Sequence, residues 1–332
     1  MLLGFIGTGE ITSSIVTGLS LSGVTTHSIR LSPRNSAIAR ELANRFNGIS
    51  VASCNQEVLD HSETIVIAVR PSAARDVLSE LRFRPDHQVV SLVSALSLRS
   101  LSELVTPAVR IARAVPLPST AKRLSPTAIY PPDQVAFELF AAVGTVFPVE
   151  REKEFDAICA TTATIASYFA FTERIASWLE QQGLPAPQAR DYIARLFLGV
   201  TTGAAEAPAR SFQSLAATHA TAGGINEQFL KHLIEHGLLT RVSEALDAVL
   251  HRISVESQSL YQGNCFKLKW GCLDLPPVNV WAKGEPEVDG SKADGTNLLW
   301  RPSGLLPDRR PGLIRFLNFS RHCSIGPPCD SS

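Results

Sequence analysis

The chain opens on a strand-like run, Leu2-Leu3-Gly4-Phe5-Ile6, that passes at once into Gly7-Thr8-Gly9-Glu10-Ile11-Thr12. This pattern constrains the fold more than any other. A short apolar run with no polar alternation reads as an inner strand of a parallel sheet, and a parallel neighbour is reached only through a crossover, usually a helix. Gly7 and Gly9 stand where the strand-to-helix turn must be tight and where backbone can approach a pyrophosphate closely. The helix that follows then aims its unpaired N–H groups and the positive end of its dipole at that anion. Thr12 replaces the third glycine of the fingerprint. Glu10 suits an anion site only if its side chain turns to solvent.

The alternation continues. Strand-like runs at Ser28–Leu31, 64–69, 88–93, 109–114 and 145–149 are separated by helical patterns at 36–46, 73–81, Leu98–Leu104 and 133–143. Strands alternating with helices imply a sheet covered on both faces. From residue 152 to 253 only long amphipathic stretches remain, at 154–182, 187–205, 224–236 and 240–253. Gly183-Leu184-Pro185 stops one of them and Gly237 ends another. Beyond about Val255 periodicity is lost among prolines, and four of the six cysteines (Cys265, Cys272, Cys323, Cys329) fall there. The expected fold class is therefore α/β: an N-terminal Rossmann-type parallel-sheet domain (1–150), an all-α domain (151–254) and an irregular or disordered tail (255–332).

Lys plus Arg and Asp plus Glu both number 31, so no charge excess argues for nucleic acid or an anionic membrane as partner. No apolar run reaches the ~18 residues of a transmembrane helix, and no leader segment is expected. At the end of the second strand, Leu31-Ser32-Pro33-Arg34-Asn35 lacks the acid that holds the ribose 2′-hydroxyl of NAD. Ser32 and Asn35 can donate hydrogen bonds and Arg34 can pair with a 2′-phosphate, which favours NADP. His232-Leu233-Ile234-Glu235-His236 matches an inverted zinc-hydrolase motif but reads better as a solvated helix end, and the tail cysteines lack the short spacing of zinc ligands. No metal is expected.

Gly4 to Gly18, the Ser32-Pro33-Arg34-Asn35 segment and Ala68-Val69-Arg70-Pro71-Ser72 resemble the nucleotide domain of pyrroline-5-carboxylate reductases, which carry Ala-Val-Lys-Pro-Gln at the last of these. Gly183-Leu184-Pro185, Ala189, Gly199, Ala222-Gly223-Gly224 and Gly237 fall at the family's spacing, so the resemblance covers residues 1–254. It implies a cytoplasmic, at least dimeric reductase that passes hydride from NADPH to the C=N carbon of 1-pyrroline-5-carboxylate, giving L-proline. A protonated imine is already electrophilic, so such a protein mainly fixes geometry and neutralises the substrate carboxylate. The resemblance assigns Gly7, Thr8, Gly9, Glu10, Ile11, Ser32, Arg34, Asn35, Ala68, Val69, Arg70 and Pro71 to the cofactor. It assigns Gly223, Gly224, Ile225 and Asn226 to the substrate, with Asn226 and Thr164 nearest the chemistry.

The substrate half departs from the family. Gly223-Gly224-Ile225-Asn226 stands for Gly-Gly followed by Thr-Thr or Ala-Thr, and Val115-Pro116-Leu117 for Met-Pro-Asn. Ala163-Thr164-Ile165-Ala166-Ser167-Tyr168 replaces Gly-Ser-Gly-Pro-Ala-Tyr, and Ser94-Ala95-Leu96 lacks the usual glycine after that alanine. Residues 199–206 hold no lysine, which argues against the β-hydroxyacid dehydrogenases that share the domain plan. The alternatives are a reductase of a different imine or ketone and a non-catalytic NADP-sensing protein. The apolar content of 154–182 predicts an interface, as does the resemblance, which points to intertwined helices of a homodimer.

Overall fold

The computed structural model describes residues 1–23 and 28–261, and the expected tail from 262 onward lies outside the described residues. In chain order the first half carries β1 (Leu2–Ile6), α1 (Glu10–Leu21), β2 (Ser28–Leu31), α2 (Ser36–Arg45), β3 (Ile49–Val51), α3 (Asn55–Asp60), β4 (Thr64–Ile67) and α4 (Pro71–Ser79). It continues with β5 (Gln88–Ser91), α5 (Leu98–Leu104), β6 (Arg110–Val115), a 3₁₀ turn (Pro118–Lys122), β7 (Ser125–Tyr130), α6 (Gln134–Ala141) and β8 (Gly144–Pro148).

Among the described residues, the eight strands form one sheet in the order β3-β2-β1-β4-β5-β6-β7-β8. The first six are mutually parallel, with Phe5 opposite Leu31 on one side and Val66 on the other. Adjacent residues of one strand feed opposite faces. Val66 packs with Phe5, Ile15, Leu19 and Phe140, whereas Ile65 and Ile67 pack with Leu59, Leu78 and Leu101. Helices cover both sides, as inner strands without a polar face require.

The sheet is parallel-dominated, as expected, with one antiparallel pairing that the sequence reading did not include. β7 runs antiparallel to β6, and β8 runs parallel to β7. Only residues 116–124 separate β6 from β7, too few for the crossover that a parallel neighbour needs. β7 had no sequence signature because Ser125 and Thr127 are its buried polar residues, which breaks the apolar run.

The second half is helical: α7 (Glu152–Thr161), α8 (Thr164–Gln181), α9 (Ala186–Ala205), α10 (Phe212–His219), α11 (Ile225–Glu235) and α12 (Leu238–Tyr261). The expected 154–182 stretch is divided at Thr162-Ala163. α8 stops as read: the Leu184 N–H reaches Leu179 O (3.1 Å) and the Gly183 N–H reaches Glu180 O (2.9 Å), a complete Schellman motif. α12 continues to Tyr261, past the expected limit at 254. Phe155, Cys159 and Ala160 of α7, Ala128 of β7 and Ile253 of α12 form the cluster that joins helices to sheet. Among the described residues no helix is long and apolar enough to cross a membrane.

Near the far edge, Glu57 on α3 pairs with Arg30 on β2 and accepts from Ser53 through its N–H (2.6 Å) and Oγ (2.7 Å). The Ser53 hydroxyl first, then its amide and Arg30, hold the carboxyl below its ordinary range. A depressed carboxylate pKa contributes stability above its unfolded value and loses it as pH falls through the folded one. Glu57→Gln should therefore lower the urea midpoint at about pH 7 and differ progressively less from wild type between about pH 5 and pH 3.

Candidate cofactor and substrate site

Strand order reverses between β1 and β4, and in such sheets ligands sit at the reversal, outside the carboxyl ends of the strands. The structure brings three expected groups to that edge: residues 7–11 after β1, 32–35 after β2 and 68–71 after β4. Gly7 has φ +99, and a Cβ there would lie 2.5 Å from the Ala68 carbonyl oxygen. The Gly7 N–H donates to Ser32 Oγ (2.9 Å), Thr8 Oγ1 donates to Ser32 O (2.8 Å) and Thr12 Oγ1 donates to Gly7 O (2.7 Å). Thr12, fully buried, thus closes the turn from within where the fingerprint has glycine.

Ser32 needs correcting as a cofactor residue. It is 1% exposed and its hydroxyl is spent on Gly7 and Thr8, so it shapes the turn and does not offer a donor to a ribose. Arg34 and Asn35 are exposed beside it, and Arg34 enters no ion pair among the described residues.

Gly9 differs in kind from Gly7. A Cβ added to it would meet nothing within 4 Å, so the protein's own packing does not demand glycine there. It is the N-cap of α1 and offers no side-chain cap, which leaves first-turn amides, including those of Glu10 and Ile11, for an outside acceptor. Glu10 is exposed. Open space before uncapped amides at a helix N-terminus fits a pyrophosphate. Arg70 is the N-cap of α4 and Pro71 its first residue, both exposed beside the turn.

The Gly223-Gly224 turn departs from its expected role. The Gly223 N–H donates to Glu227 Oε2 (2.7 Å) and the Gly224 N–H to Thr221 O (2.8 Å), so the two amides expected to hold a substrate carboxylate are already engaged. Glu227 also places a negative charge at that spot. Sequence reading passed over it, although an acid three residues after an N-cap is the known signal for reaching back to the turn. Ile225 and Asn226, at the first two positions of α11, are exposed. Thr164 opens α8, exposed, and its Oγ1 donates to Thr161 O (2.7 Å), leaving its lone pairs to accept. The His232 and His236 rings lie 4.2 Å apart, with His236 Nδ1 2.7 Å from His232 O. Among the described residues no group of His, Cys, Asp or Glu is arranged to hold a metal ion. The tail cysteines lie outside the described residues.

The two glycines give opposite expectations. Gly9→Ala should leave stability within about 1 kcal/mol of wild type, as an N-cap change does, while its methyl fills the space a pyrophosphate needs and removes dinucleotide binding in a fluorescence titration. Gly7→Ala should cost about 1–3 kcal/mol in a denaturant melt as well, because backbone strain and the Ala68 clash act without ligand.

Residues 2–97 match the family model for NADP oxidoreductase, coenzyme F420-dependent, and residues 152–255 match that for pyrroline-5-carboxylate reductase dimerisation. The chain is 25% identical to pyrroline-5-carboxylate reductase of Vibrio alginolyticus over 260 residues, 75% of this chain and 95% of that protein. It is likewise 25% identical to the Pseudomonas aeruginosa enzyme over 273 residues, 78% and 98% of the two chains. Among solved structures, pyrroline-5-carboxylate reductase of Coxiella burnetii superposes with a TM-score of 0.64 at 25% identity, covering 77% of this chain and 98% of that one. The Plasmodium falciparum enzyme, solved with NADP bound, shares the fold at a TM-score of 0.65 and 19% identity, over 77% and 98%. Two matched modules in one chain, and relatives covered almost end to end, make the chain an NAD(P)H-dependent oxidoreductase that is similar to pyrroline-5-carboxylate reductases in both of its halves.

Proposed function

We propose that the protein is a cytoplasmic NADPH-dependent reductase that converts 1-pyrroline-5-carboxylate to L-proline. The observation that carries this reading is the uncapped, open turn at Gly9, at the sheet's reversal point, in a chain whose helical half matches the family's dimerisation module. NADPH, when bound, supplies the hydride. The chain's own residues supply the rest. Amides around Gly9 receive the pyrophosphate, Arg34 with Asn35 meets the 2′-phosphate, and 68–71 flank the nicotinamide side. Thr164 and Asn226 offer an acceptor and a donor to the imine side of the substrate. A cyclic imine protonates in water, so the protein's contribution is orientation and exclusion of water more than acid–base work.

The working unit is a homodimer. Tyr168, Phe169, Tyr192, Leu196 and Leu198 on α8 and α9 and Phe229 on α11 are exposed, more apolar surface than a monomer ordinarily leaves in water. Those helices lie within the segment that matches the dimerisation family.

One observation favours a second substrate reading. Glu227 occupies the Gly223 amide and would repel a carboxylate brought to that turn, which suits an imine that lacks one.

Steady-state NADPH oxidation separates the readings. Turnover with 1-pyrroline-5-carboxylate well above that with unsubstituted 1-pyrroline supports the first, and the reverse order supports the second. NADPH binding without turnover of either overturns both and leaves a non-catalytic NADP-binding protein. For the cofactor, Arg34→Ala should raise the Kd of NADPH about 10- to 100-fold, as loss of a charge-assisted contact does, and that of NADH less than about 3-fold. Equal effects would sink the 2′-phosphate assignment.

A further inference from the structure

Among the described residues, Arg113 on β6 is the bulkiest of the fully buried side chains, at 1% exposed. A guanidinium taken out of water must be paired, and the pairing here is lopsided. Nη1 donates to Glu152 Oε1 (2.7 Å), and Asp156 Oδ1 lies 3.0 Å away without the alignment of a hydrogen bond. Nη2 donates to the Ser94 carbonyl (2.7 Å), and the Phe155 ring lies 4.4 Å from the guanidinium carbon. Nε finds no partner among the described residues. Glu152 Oε1 also accepts the Leu98 N–H at 2.6 Å. Burial pushes the Asp156 carboxyl up, against the pull of Arg113.

A buried, incompletely satisfied charge cluster is a poor way to gain stability, because apolar residues of similar volume often do as well or better. Its geometry suggests another use. Residues 94–98 leave the carboxyl end of β5, next to β4, and one ion pair grips this segment at both ends: Arg113 at the Ser94 carbonyl and Glu152 at the Leu98 amide. Glu152 and Asp156 sit one turn apart on α7, the first helix after the sheet. In a doubly wound sheet with this strand order, the β1–β2 half takes the adenine end of a dinucleotide and the β4–β5 half takes the nicotinamide end.

We propose that Arg113 and Glu152 are positioning residues that clamp segment 94–98 at the nicotinamide end of the cofactor crevice and lock it to α7. The proposal rests on the reading that this crevice takes NADPH. It assigns neither residue a contact with the cofactor.

The test uses the full chain with Glu152→Ala and Glu152→Gln, titrated with NADPH and with 2′,5′-ADP, which fills only the adenine end. Glu152→Ala frees the Leu98 amide yet leaves Arg113 its Asp156 neighbour, so the fold is retained. It should weaken NADPH about 10-fold or more, the scale of one lost hydrogen bond to a charged group, and shift the nicotinamide emission of the bound form. Affinity for 2′,5′-ADP should stay within about 2-fold. Glu152→Gln keeps an acceptor for both Leu98 and Arg113 and should restore NADPH binding to within about 3-fold of wild type. Unchanged NADPH affinity and emission in Glu152→Ala would overturn the clamp, and so would equal losses for the two ligands, which a general loosening of the fold produces. A wild-type protein that binds neither ligand overturns the NADPH reading itself, and the clamp with it.

Discussion

A side chain on Gly7 would stand 2.5 Å from the Ala68 carbonyl, so β1 and β4 can end side by side only with glycine there. The site is built outward from that contact. The same residue's amide is tied to Ser32 at the end of β2, and Thr8 and Thr12 complete the knot with two further hydrogen bonds. Three strand ends and the start of α1 are thereby fixed relative to one another with no ligand needed. What remains free is Gly9, in open space before uncapped amides. The turn thus holds two kinds of glycine: packing demands Gly7 and does not demand Gly9.

The helical half is joined to this frame by a small apolar cluster and by a buried charge. Its apolar junction is the small cluster around Phe155, Cys159 and Ile253, but the buried Arg113 reaches from the sheet to two carboxylates on α7. The segment after β5 is held by the same ion pair, so its place depends on both halves at once. The helices beyond α7 carry an exposed apolar face, which fits a chain whose final environment includes a second copy.

How legible the protein was in its sequence depended on range. β1, the glycine turn, the Gly183 helix stop and the α/β-then-α order are local patterns, and they stand where periodicity and turn chemistry put them. β7 was invisible because its buried residues include Ser125 and Thr127, whose polar groups are answered by each other and by the Leu117 amide. The direction of β7 followed from a linker too short for a crossover, a fact that has force only once β7 is known to exist. At the substrate turn, Gly223 and Gly224 read as free amides, yet Glu227 and Thr221 accept from both.

The sequence by itself determined the class of fold and the place of the glycine turn after β1, because each rests on neighbours within a few residues. Tertiary structure decided which polar groups are available. Ser32 was withdrawn into the turn, Arg113 was drawn under α7, and the amides of the substrate loop were already engaged. The physical reason is that a donor or acceptor is defined by what it already bonds. Most of the partners that decided these cases come from other elements of the fold.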